Sequence, residues 1–251
     1  MDKLYECFKN VVRNVLVKKM SKDQIEEILA QIPDAHCDDQ YTGCVSKILS
    51  ESPDADFPVR KKLGNGEISP EKFSRGVVIV LESPNKAEFL KVGNKYESRG
   101  PARCCTGCRF REHWLSISAE KLGADWNDYG IFLINAVQYQ CSLASAGRLV
   151  PDGVKGEVFC QCMAQEAFQD SLRLRIEGVK ELCSEIILVN ACTRDCKGDG
   201  YKAVSKILLS NKGLRVFGTT HPSGWQCPRN RVIQELNCYE ELSSISPCRC
   251  E

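Results

Sequence analysis

Val77-Val78-Ile79-Val80-Leu81-Glu82-Ser83-Pro84-Asn85 is an unbroken apolar run that ends in a polar turn. A strand with one solvated face alternates apolar and polar residues, whereas a continuous apolar run suits a strand covered on both faces, as in a parallel sheet between helical layers. Ile131-Phe132-Leu133-Ile134 and Ile186-Ile187-Leu188-Val189 repeat the pattern, and Leu214-Arg215-Val216-Phe217 is a weaker fourth case. Helical patterns separate the runs at about 109–122, 157–183 and 199–211. The middle one carries Phe159, Met163, Leu172, Ile176 and Val179 on one stripe, and the last stops at Gly213. This alternation predicts an α/β fold with a four-stranded, mostly parallel sheet sandwiched by helices.

Upstream, Leu4, Phe8, Val11, Val12 and Val15 mark one helical stripe over residues 3–19. Ser21-x-x-Gln24 has the form of a capping box, and Ile25, Ile28, Leu29 and Ile32 continue a second helix up to Pro33. Pro53, Pro58, Gly64, Gly66, Pro70 and Gly76 punctuate residues 51–76 as a linker or surface wrap. The expected organisation is a helical N-terminal extension and linker over 1–74, followed by the α/β domain over 75–251.

The chain of 251 residues is 43% hydrophobic and 27% charged, which argues against disorder and fits one large domain or a core with an appendage. No apolar run approaches the length of a membrane span, and Met1–Glu6 opens no signal-peptide core. The expected compartment is therefore the cytoplasm, with no membrane partner. A net charge of +1 excludes a bulk polycation, but the charge is uneven. Residues 86–111 hold seven bases (Lys86, Lys91, Lys95, Arg99, Arg103, Arg109, Arg111) against Glu88 and Glu97. Residues 212–231 add Lys212, Arg215, Arg229 and Arg231 with no acid, so a local phosphate-binding face is available. The sixteen cysteines are expected to remain thiols in a reducing compartment. Cys105-x2-Cys108 has metal-ligand spacing but no second Cys-x2-Cys repeats it, so zinc or an iron–sulfur cluster is not the favoured expectation and no cofactor is assigned.

In a parallel sheet the ligand site lies beyond the carboxyl ends of the strands. Glu82-Ser83-Pro84-Asn85 follows the first run, Asn135-Ala136-Val137 the second and His221-Pro222-Ser223-Gly224-Trp225 the fourth. A carboxylate, an amide and an imidazole would thus converge on one edge. Singly, each has an ordinary structural explanation in a helix cap, a turn or a rigid loop corner.

Together, in order and in strand context, they resemble the uracil-DNA glycosylase superfamily. Leu81-Glu82-Ser83-Pro84-Asn85 is similar to its Gly-(Gln/Glu)-x-Pro-(Tyr/Gly) turn, Leu133-Ile134-Asn135 to its Leu-Leu-Asn element, and His221-Pro222-Ser223 to its His-Pro-Ser loop. The resemblance covers about residues 75–240. It implies that Glu82 orients water and stabilises a cationic sugar, His221 stabilises the departing base, and Asn135 reads the base edge. The same amide, rotated, could read uracil or cytosine. It further implies that Trp225 fills the gap left by a flipped base, and that Ser223, Arg99, Arg103 and Arg229 hold DNA phosphates.

Three departures shape the expected specificity. Asn85 stands where the uracil-strict family has a blocking Tyr. Ala102 stands where the iron–sulfur families have a stacking Phe, leaving Phe89, Tyr96 or Phe110 to substitute. The cluster-binding cysteine spacing of those families is not reproduced. Ser83, Asn85, Phe89 and Ala102 are thus the expected base-pocket residues, and the pocket is expected to admit a C5-modified cytosine. The implied activity is that of a monofunctional DNA glycosylase acting as a monomer. Uracil excision and non-catalytic binding of modified DNA are the alternatives. The zinc-deaminase, phosphate-loop and Gly-x-Ser-x-Gly patterns are absent from the sequence.

Overall fold

The computed structural model describes residues 2–50, 57, 59–63, 73–103, 105–122, 128–143, 150–151, 153–193 and 199–236. Most of the 51–76 linker, together with Cys104, Cys196, Cys248 and Cys250, lies outside these residues.

Two helices open the chain, α1 (Lys3–Leu16) and α2 (Lys22–Gln31). Both halves of the Ser21 box form: Ser21 Oγ accepts from the Gln24 N–H, and Gln24 Oε1 accepts from the Ser21 N–H. Next come β1 (Gln40–Cys44), α3 (Val45–Ser50), β2 (Lys61–Lys62) and β3 (Phe73–Leu81). A hairpin of β4 (Phe89–Val92) and β5 (Lys95–Ser98) precedes α4 (Cys105–Leu122) and β6 (Gly130–Asn135). The helical pattern at 157–183 resolves into α5 (Val154–Met163) and α6 (Glu166–Lys180). The chain continues through β7 (Cys183–Asn190), α7 (Asp199–Leu209), β8 (Arg215–Thr219) and β9 (Ile233–Glu235).

The four apolar runs are the four central strands, in the order β6-β3-β7-β8 and all parallel. The sheet is larger than four strands, however. It has seven in the order β2-β1-β6-β3-β7-β8-β9, with β1 antiparallel to β6 and β9 antiparallel to β8. The polar strands β1, β2 and β9 carry no apolar run because each lies at or near an edge, where one long apolar stretch is not required. β1 bulges between Tyr41 and Cys44, where Gly43 takes φ +100°, a conformation that suits glycine.

Residues 77–81 and 131–134 are all buried, as an enclosed strand requires. Val78, Val80, Phe132, Ile134 and Leu188 face a layer built from α1, α2, α5, α6 and α7. Val77, Ile79, Leu81, Ile131 and Leu133 face the other layer, with Phe110, Trp114 and Trp225. The segment expected as an extension is part of this structure. Phe8, Val12 and Leu16 of α1 are fully buried in the first layer, and β1 pairs with β6. No helix among the described residues is long and apolar enough to cross a membrane.

Candidate active site

The chain crosses from β3 to β6 on one side and then returns past β3 to β7 on the other, so the crevice of the sheet opens beyond β3. Backbone bonds tie the strand ends together: Ala136 N–H to Leu81 O (2.7 Å), Val137 N–H to Glu82 O (3.0 Å) and Ala191 N–H to Val80 O (2.8 Å). Glu82, buried, follows β3 directly, and its Oε1 lies 3.3 Å from Nζ of Lys155 in the first turn of α5. Beyond β8 stands the half-buried His221, where burial first and the nearby Lys155 charge second push the pKa down to about 3, a shift that favours the neutral imidazole. His221 Nδ1 accepts from the Ser223 N–H (3.3 Å), with Ser223 Oγ at 2.8 Å. An accepting Nδ1 leaves the proton on Nε2, so His221 offers a neutral N–H donor. Cys192, after β7, is buried beside Glu82 and Lys155, and burial pushes its thiol pKa well up. Lys155 is thus the common neighbour of Glu82 and His221. It occurs in no motif, so nothing in the sequence singles it out.

Asn135 ends β6 fully buried, and its Nδ2 donates to Oε2 of Glu88 (3.1 Å). Glu88 is also buried. Its Oε1 accepts from the Ala102 N–H (3.1 Å), and the Cys37 thiol lies 3.6 Å from Oε2. Burial raises the Glu88 pKa to about 7. Ala102 is held at φ +54°, a left-handed conformation costing a non-glycine residue about 1 kcal/mol or more. Arg60 secures it by donating to Pro101 O (2.8 Å) and Ala102 O (3.4 Å). Ala102 therefore enters the site as a backbone anchor rather than as a pocket wall. On the opposite side, Arg175 of α6 donates to Asn135 O (2.9 Å) and Ala136 O (3.1 Å) while paired with buried Asp39.

Two polar atoms at these strand ends, Ser83 Oγ and Asn135 Oδ1, are buried with no hydrogen-bond partner among the described residues, and the buried Glu82 Oε1 is met by the Lys155 ammonium at 3.3 Å. Buried polar groups are nearly always satisfied, and each exception costs about 1–3 kcal/mol. Their clustering suits a polar ligand.

The other expected residues are spread more widely. Asn85 is exposed, and its Oδ1 caps the 3-10 turn Lys86–Glu88 by accepting from the Ala87 N–H (3.2 Å). Phe89 joins Asn85 in an outer depression rather than in the buried layer around Asn135. Trp225 corrects its expected role: it is fully buried, stacks with Trp114 (6.1 Å) and Phe110 (6.0 Å), and donates Nε1–H to Thr220 Oγ1 (3.1 Å). An indole locked into the core in this way is not placed to wedge into a base stack. Phe110 is likewise a core residue. Ser223, Arg99 and Arg229 are exposed, and Arg103 is half-buried with its guanidinium on Arg99 O. Cys105 and Cys108 are exposed thiols, and no group of three or more metal-ligating side chains occurs among the described residues. Comparison with protein-family models, curated proteins and solved structures finds no match to this chain.

Proposed function

We propose that the chain is a monofunctional DNA glycosylase that hydrolyses the N-glycosidic bond of a flipped pyrimidine. The observation carrying this reading is the placement of Glu82, Asn135 and His221 at the carboxyl ends of β3, β6 and β8, three of the four central parallel strands, with the buried Ser83 Oγ and Asn135 Oδ1 unsatisfied among the described residues. The resemblance to the uracil-DNA glycosylase superfamily rests on the same residues, and a glycosylase-like fold is part of the proposal.

The chemistry follows from the charges. The C1′–N bond breaks with its electron pair leaving on the base, and positive charge develops on the sugar. His221, as a neutral Nε2–H donor, hydrogen-bonds the base oxygen that gains charge. Glu82 faces the cationic sugar and takes the proton of the water that adds to C1′. Lys155, beside both, adds to the burial that disfavours a proton on His221 and contributes positive charge where the anionic base and phosphates gather. Asn135 Oδ1 reads an N–H on the base.

The substrate proposed is a C5-modified cytosine such as a glucosylated hydroxymethyl form, in keeping with a defence against modified phage DNA. Asn85 supports it, because its short exposed side chain is turned into a cap and leaves the C5 side without an aromatic gate. The test is base release from oligonucleotides carrying uracil, cytosine, 5-hydroxymethylcytosine or glucosylated 5-hydroxymethylcytosine, followed by alkaline cleavage. Release from the bulky substrates is expected. His221→Ala should slow it by about 10²–10³-fold, as loss of one preorganised donor does, and Glu82→Gln should abolish it while retaining DNA binding. Release of uracil alone would overturn the pocket reading, and no release from any substrate would leave a binding module.

A further inference from the structure

The hairpin β4–β5 leaves the Glu82 turn directly and returns to Ala102, so one segment frames both layers of the candidate site. Its pairing sets Phe89 opposite Ser98, Lys91 opposite Tyr96 and Val92 opposite Lys95. Because side chains alternate along a strand, Phe89, Lys91 and Tyr96 share one face. With Asn85, Lys86 and Ala87 they line a depression of about 630 Å³. Lys86 and Lys91 are exposed, Tyr96 is half-buried, and Lys91 Nζ lies 5.9 Å from the Tyr96 ring centroid. Among the described residues no acid lines the depression. Glu97 belongs to the opposite face with Leu90, and Glu88 is turned inward onto Asn135 and Ala102. Asn85 uses its carbonyl oxygen on the Ala87 N–H, so its Nδ2 can donate outward.

An aromatic ring, two ammonium groups and an amide donor around one hollow match a flat ring joined to an anion. We propose that this depression is a nucleotide subsite for single-stranded nucleic acid. One base stacks on Tyr96 above the buried edge of Phe89, and the adjoining phosphates contact Lys86 and Lys91. Stacking is indifferent to base identity, so the subsite grips the strand without reading it. It goes beyond the glycosylase reading and does not depend on base release, since a non-cleaving binder would use it equally.

The experiment titrates the full chain with a fluorescein-labelled twelve-nucleotide oligothymidylate, which offers no modified base, across a range of salt concentrations. Tyr96→Ala is expected to weaken binding by about 5- to 150-fold, the span for one lost base–aromatic stack, with the salt slope unchanged. Tyr96→Phe keeps the ring and should bind like the parent. Replacing both Lys86 and Lys91 with alanine should reduce the slope of log K against log salt by about 1.4, at roughly 0.7 per single-strand phosphate contact. Parent-like affinity and slope in all variants, or no oligothymidylate binding by the parent, would overturn the subsite. Displacement by polyglutamate at equal charge concentration would also overturn it, by marking a general polyanion surface. If the parent binds through Tyr96 but releases no base from any substrate, the glycosylase reading falls and the subsite stands.

Discussion

Glu88 is the residue on which the inner layer of the site turns. Its two carboxylate oxygens collect the Ala102 N–H, the Asn135 amide and the Cys37 thiol. The Arg60 charge acts on it from the β1–β2 side, and Asp39 lies near the same thiol. Those donors do not offset burial, which leaves the pKa at about 7 instead of the usual 4.5. An acid with a raised folded-state pKa holds its proton in the fold after the unfolded chain has released it. Stability therefore falls as pH rises from about 4.5 to 7, by about 3 kcal/mol from this residue alone, and levels off above. Glu88→Gln removes the titration, so the stability difference between parent and variant should shrink by that amount across the window in urea unfolding at pH 4.5, 6 and 7.5. Parallel curves would show that Glu88 does not titrate there. The strand-end placement of Glu82 and Asn135 was legible in the sequence because each directly follows an apolar run, and that of His221 because it follows the fourth run after Gly218-Thr219-Thr220. Glu88 and Lys155 were not, since a buried acid in a short turn and a lysine in a helix look the same in sequence as solvated ones.

At the scale of elements, the site is held from outside by contacts that no motif announces. Arg175 of α6 reaches the carbonyls that end β6 and pairs with Asp39 ahead of β1, so a helix and the start of the strand beside β6 fix Asn135 together. Removing one partner of a buried pair strands the other, and Arg175→Ala should cost about 3–5 kcal/mol, read from chemical denaturation. Trp225 gives a contrasting expectation. A wedge residue changed to alanine would lose DNA binding and leave stability alone. Trp225, stacked in the core, should instead lose about 3–5 kcal/mol of stability, as large aromatic truncations do, with oligonucleotide affinity unchanged in the folded fraction. The His-Pro-Ser context made Trp225 look functional because sequence order gives the loop but not the side of the loop an indole takes. Burial decides that, and an adjoining Phe110–Trp114 stack supplied the apolar slot.

Across the whole molecule, the central layer was readable because parallel strands must be apolar throughout, whereas the antiparallel additions were hidden by their polarity. Gln40-Tyr41-Thr42-Gly43-Cys44 has no run and carries a bulge, yet it closes one flank of the sheet. This changes what the first sixty residues are for. An extension could be removed with little loss. Here, a chain beginning at residue 65 would lose α1, α2, β1, α3 and β2, uncover the apolar surface that Phe8, Val12, Leu16 and Ile28 bury, and expose the hydrogen-bonding edge of β6. Arg175 would also be left without Asp39. Lost burial of about 1.5–3 kcal/mol per large apolar side chain exceeds, over four such residues, a large part of the 5–15 kcal/mol that holds a typical domain. The 65–251 fragment should therefore aggregate or unfold when expressed alone. Co-expressed 1–64 and 65–251 fragments should copurify and recover a single cooperative urea transition, because the edge of β6 and the face beneath α1 specify their own cover. A 65–251 fragment that unfolds cooperatively near the parent midpoint would instead restore the N-terminal segment to an accessory role.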